Sequence, residues 1–97
     1  MAGLVRVSKY IKRPIPVEAI RYTYHSWDTL SKWMDKHKQA YHLEENGTLK
    51  IFTLEGWQIC PPGSYVIRGV GGEFYSCRED IFNITYDEYI DISDDGK

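Results

Sequence analysis

The chain has 97 residues, 42% hydrophobic and 27% charged, with a formal net charge of −2. A chain of this size supports one core, and its balance excludes wholesale disorder, a collagen-like repeat and an integral membrane protein. Charge is unevenly spread, with nine Lys/Arg against five Asp/Glu in residues 1–50 and three against nine in residues 51–97. The balance argues against bulk binding of long nucleic acids or membranes, and leaves room for a small anion with one or two phosphates.

In chain order, a basic arm opens the sequence, and the prolines of Tyr10-Ile11-Lys12-Arg13-Pro14-Ile15-Pro16 keep the next stretch extended. Val17–Tyr24 is β-branched and aromatic and reads as an edge strand, with Val17, Ala19 and Arg21 on one face and Glu18, Ile20, Tyr22 and Tyr24 on the other. Ser26–His37 reads as a helix. Ser26 is its expected N-cap, and Trp27, Leu30, Trp33, Met34 and His37 recur as one apolar stripe.

Asn46-Gly47 between Tyr41–Glu45 and Thr48–Leu54 is a strong hairpin signal. Glu55-Gly56 then turns into Trp57–Cys60, and Pro61-Pro62-Gly63-Ser64 makes a further turn. Strands at Tyr65–Arg68 and Glu73–Cys77 flank Gly69-Val70-Gly71-Gly72, and a short helical turn is expected around Glu79–Phe82. The expectation is a single α+β domain over 1–97: a small curved antiparallel sheet with one amphipathic helix packed on it. A flexible arm at 1–8 and a flexible acidic tail at 91–97 flank it.

Enzyme signatures are sparse. His37 continues the apolar stripe, His25 stands at a strand-to-helix corner and His42 lies in a strand. Neither Cys60 nor Cys77 has a His near it in sequence or a C-x-x-C partner. No catalytic residue, cofactor or metal site is expected, and the thiols read as free in a cytosolic chain. The glycine cluster lacks the Lys-Ser/Thr of a P-loop and reads first as a hairpin turn. Arg68 precedes it, Arg78 follows the returning strand and Tyr75 lies between them. If Phe74 faces the core, Tyr75 faces outward. Arginines clamp phosphate or carboxylate and an aromatic offers a flat face, a combination that suits a nucleotide-like ligand.

Two blocks carry a family resemblance. Lys9-Tyr10-Ile11-Lys12-Arg13-Pro14-Ile15-Pro16-Val17-Glu18-Ala19-Ile20 resembles the opening of a large group of small phage proteins that commonly begin K-Y-x-K-K-P-x-x-V-E-A-I. The stretch from Pro62 through Gly69-Val70-Gly71-Gly72-Glu73-Phe74-Tyr75 to Asp80-Ile81-Phe82 and Thr85-Tyr86 resembles their second block. Ser64, Gly71, Ser76 and Glu79 depart from it, and Gly71 stands where a lysine is usual, so that turn brings no charge.

The group resembles phage anti-CBASS proteins, non-catalytic and oligomeric sponges for cyclic dinucleotide signals of bacterial immunity. The resemblance implies binding of a ligand such as 3′3′-cGAMP in the cytoplasm of the infected host. Arg13, Arg68 and Arg78 would then meet the phosphates, and Tyr10 and Tyr75 the purines. It also implies a homo-oligomer, dimer or tetramer, with the ligand near or across an interface. Two other readings are a phage protein–protein module, acting on a host factor or as a virion accessory, and a small nucleotide-degrading enzyme.

Overall fold

The computed structural model describes residue 3 and residues 5–90. The acidic tail at 91–97 and three residues of the basic arm therefore lie outside the described residues. Among the described residues eight elements occur in order: β1 (Glu18–Arg21), α1 (Trp27–Lys36), β2 (Tyr41–Leu43), β3 (Leu49–Thr53), β4 (Gly56–Cys60), β5 (Tyr65–Arg68), β6 (Phe74–Cys77) and α2 (Glu79–Thr85). The α+β class stands, with one difference in architecture. The strands form two three-stranded antiparallel sheets, ordered β1-β5-β6 and β2-β3-β4, instead of one.

The break falls between β4 and β6, and a side chain explains it. The Ser76 N–H of β6 donates to Gln58 Oε1 of β4 at 2.9 Å, so a side-chain amide stands where a ladder bond would continue the sheet. Pro61 and Pro62 come directly after β4 and bring no N–H to extend it.

β1 is an edge strand, as the prolines before it require. It is shorter than the apolar run, because after Arg21 the chain pairs with a turn: Tyr22 N–H donates to Ser64 O at 2.8 Å and Gly63 N–H to Tyr22 O at 2.7 Å. Ser26 occupies the N-cap position of α1, but its hydroxyl does not cap the helix. It accepts from Thr23 N–H at 2.9 Å and donates to Arg21 O at 2.6 Å, while Ser26 N–H donates to Thr23 Oγ1 at 3.1 Å. This reciprocal pair caps the turn that leads into the helix. At the other end Gln39 N–H reaches Met34 O and Lys38 N–H reaches Asp35 O, a Schellman closure with Lys38 at φ 58° where glycine is usual.

The apolar stripe of α1 lies over the inner faces of both sheets. Leu30 and Met34 pack with Tyr22, Leu49, Ile51, Cys60, Val66 and Phe74 in one buried cluster, ringed by Ile20, Trp27, Trp33 and Tyr41. Trp33 meets Phe74 edge-on at 5.0 Å, and Trp27 stands edge-on between Tyr22 and Tyr41, 5.8 Å from each. Strand alternation sends the remaining residues to the outer faces. On the β1-β5-β6 sheet these are Ala19, Arg21, Tyr65, Ile67, Tyr75 and Cys77.

The second helix is longer than the turn expected from sequence, with seven residues. It covers part of that outer face. Phe82 stacks flat on Tyr65, with ring centroids 3.7 Å apart and planes 8° from parallel. Arg21 ties it to β1 through Glu79 at 3.2 Å and to the turn through Gly63 O at 3.2 Å. Among the described residues no helix is long and apolar enough to cross a membrane.

Candidate functional site

The groove that could hold a ligand lies on this outer side, between the proline-rich strap of residues 12–16 and the end of α2, with a volume of about 740 Å³. One wall is the strap, with Lys12 and Arg13; the other is Phe82, Tyr86 and Tyr89, and Tyr65 also lines it. Asp87 and Glu88 line it too, so the groove has a cationic wall and an acidic end. The size falls within the roughly 300–1,000 Å³ usual for small-molecule sites.

Tyr86 organises the groove. Its hydroxyl accepts from Lys12 Nζ at 2.6 Å and lies 3.3 Å from the hydroxyl of Tyr75. Its ring lies 5.0 Å from that of Phe82. The Lys12 ammonium lowers the pKa of Tyr86 from its ordinary value, and the Tyr75 hydrogen bond acts in the same direction. Tyr75 moves the opposite way: burial raises its pKa, and the bond to Tyr86 adds to the effect.

The five residues singled out from sequence fall in different places. Arg13 lines the groove. Tyr75 is on the outer face as expected, but half-buried, and it supports the groove through Tyr86 instead of offering a free ring. Tyr10 is 90% exposed on the arm.

Arg78 lies beyond the far end of β6, largely exposed, and grips Asp80 through Nε and a terminal nitrogen. That pairing holds Asp80 below the usual carboxylate range, and Asp80 in turn accepts from Ile81 N–H in the first turn of α2. Arg68 pairs across the ladder with Phe74 and so shares the inner face. Its guanidinium lies 3.7 Å from Glu18 Oε1, the oxygen that also accepts from Trp33 Nε1. Arg68 and Arg78 therefore do not converge on Tyr75.

The glycine turn between β5 and β6 is filled from within. A side chain at Gly69 would overlap the Glu73 carboxylate, and one at Gly71 would come within 3.0 Å of it. Gly72 takes φ +88°, which favours glycine in its own right. An internal carboxylate thus lies against the place that a phosphate loop would offer to its ligand.

The cysteines are both free; Cys60 belongs to the core and Cys77 to the outer face. Burial raises the pKa of both thiols above the usual value. Among the described residues no group of three or more His, Cys, Asp or Glu could hold a metal ion.

Sequence reasoning missed Lys12, Tyr65, Phe82 and Tyr86 as groove residues. A signal for them was present: Lys12 stands in the first motif block, Tyr65 and Phe82 lie within the second, and Tyr86 closes it. No family model, no curated protein and no solved structure matches this chain.

Proposed function

We propose that the chain binds a cyclic dinucleotide, of the 3′3′-cGAMP kind, in the groove under the strap and sequesters it without cleaving it. This would be the role of the phage anti-CBASS sponges that the two blocks resemble, acting in the cytoplasm of the infected host. One observation carries the reading. Lys12 of the first block and Tyr86 of the second, 74 residues apart in the chain, touch in the wall of the groove.

The chemistry of the walls suits such a ligand. Lys12 and Arg13 offer cations to the phosphates, as point charge and as planar fork respectively. The rings of Tyr65, Phe82, Tyr86 and Tyr89 offer aromatic surface to the purines, worth about 1–3 kcal/mol per stacked base. Asp87 and Glu88 repel phosphate and so orient the ligand, with phosphates toward the strap and bases toward α2. A phosphate arriving at Lys12 takes the place of Tyr86 as its partner, so binding loosens one of the contacts that hold the strap.

The test is a thermal-shift titration with 3′3′-cGAMP, followed by heat release and analysis of the ligand. At about 100 times its dissociation constant a ligand adds roughly 2.7 kcal/mol, a clear rise in melting temperature. The released ligand is expected intact. Arg13→Ala and Lys12→Ala should weaken binding, whereas Arg68→Ala, on the opposite face, should leave it unchanged. A flat melting curve at saturating ligand, or a linear product, would overturn the proposal.

A further inference from the structure

The outer face of the β2-β3-β4 sheet is apolar and exposed. Alternation along β3 and β4 places Phe52, Trp57 and Ile59 on this side, with Leu49, Ile51 and Cys60 on the buried one. Phe52 and Trp57 are cross-strand partners whose rings meet edge-on at 5.1 Å, and Ile59 lies beside Lys50 on the same face. They are 50%, 53% and 62% exposed, and Leu54 at the adjoining turn is 104% exposed. By contrast, α2 lies across part of the corresponding face of the other sheet.

We infer that this face is where a second copy of the chain docks, sheet against sheet. Three observations support that occupant. The first is area. Large apolar and aromatic side chains carry about 150–250 Å² each, so the exposed parts of these four residues amount to roughly 500–600 Å². That is near the upper limit for a patch on a monomer and most of the roughly 800 Å² that each partner contributes to a stable interface. The second is shape: rings and branched side chains standing on neighbouring strands can interdigitate with an identical row about 10 Å away.

The third is charge. Lys50 and His42 stand at one end of the face, with Glu44 3.1 Å from the Lys50 ammonium, and Glu55 in the β3–β4 turn stands at the other. A two-fold axis along the strands would place Lys50 against Lys50. A two-fold axis across them places the Lys50 end of one copy over the Glu55 end of the other. Glu44 offsets Lys50 within the chain, so the charges favour the second arrangement chiefly by keeping Glu55 of one copy away from Glu55 of the other. This contact leaves the groove under the strap open in each copy. It does not rest on the ligand reading, and its test needs no ligand.

The experiment is molar mass by sedimentation equilibrium on the full chain, with circular dichroism to confirm folding. The wild type is expected to have twice the chain mass at about 10 µM, a concentration suited to micromolar affinity. Ile59→Lys, at a site that contributes little to the core, is expected to halve the mass with the same dichroism. Lys50→Glu and Glu55→Lys are each expected to weaken the dimer, and an equal mixture of the two to restore it, because opposite charges then meet at both ends. A wild type of single-chain mass would overturn the proposal and assign the face to some other partner. A two-copy mass that survives Ile59→Lys would place the contact elsewhere, and failure of the mixture to restore the dimer would rule out the two-fold arrangement.

Discussion

Ile67 and Ile59 are the same residue on the outer faces of two sheets of equal size, yet one is 0% exposed and the other 62%. The difference lies in where the chain goes as it leaves each sheet. After β6 it folds back as α2 and sets Phe82 on Tyr65, while after β4 it departs through two prolines toward the other sheet. The layer over Ile67 is nevertheless thin. No residue of α2 is itself buried, whereas α1 buries Leu30 and Met34 completely. One helix belongs to the core and the other is a cover held by a stacked ring pair, an ion pair and the Lys12–Tyr86 contact. A groove bounded by such a cover can open without unfolding the domain.

The sharpest way to break this contrast is to truncate one side chain on each helix. Met34→Ala, at a fully buried site, is expected to cost about 2–5 kcal/mol in chemical denaturation, with the whole domain losing stability together. A loss below about 1 kcal/mol would show that α1 is less central than its burial indicates. Phe82→Ala should cost less, about 1–2 kcal/mol, combining lost stacking and partial burial. Its hydrogen-exchange effect should be confined to α2 and the strap, and a uniform effect over both sheets would erase the distinction between core and cover.

The smallest effect is expected at alkaline pH. Tyr75 has a folded pKa above its unfolded one, so its contribution to stability is complete below the unfolded value of about 10 and is lost as pH rises beyond it. The wild type should therefore lose stability above about pH 10 more steeply than Tyr75→Phe, which has no phenol to ionise. Parallel curves for the two proteins would show that Tyr75 is not the group responsible.

The local elements were legible because their causes are local. Asn46-Gly47 marks the β2–β3 turn, and the stripe from Trp27 to His37 marks α1 and its buried side. Alternation from Phe74 was enough to put Tyr75 on the outer face. Pairing over distance could not be read. Nothing near Gln58 announces that its side chain bonds the Ser76 amide in place of a continued ladder. The same limit applied to the site. Arg68, Tyr75 and Arg78 are neighbours in sequence, but strand alternation turns the first inward, and Asp80 engages the last. Lys12 and Tyr86, which meet in the groove, are separated by nearly the whole described chain.

The β1–β5 ladder has a consequence in time. Its register joins Glu18 to Arg68 and Arg21 to Tyr65, so β1 finds its partner only after the chain between them has been laid down. The strands β2, β3 and β4 are joined by short turns, and their contacts close early. The meander is thus the expected folding nucleus and β1 the last strand to dock. Ile51→Val in β3 should slow folding, whereas Ile20→Val in β1 should leave the folding rate alone and speed unfolding, a contrast that stopped-flow kinetics can read directly.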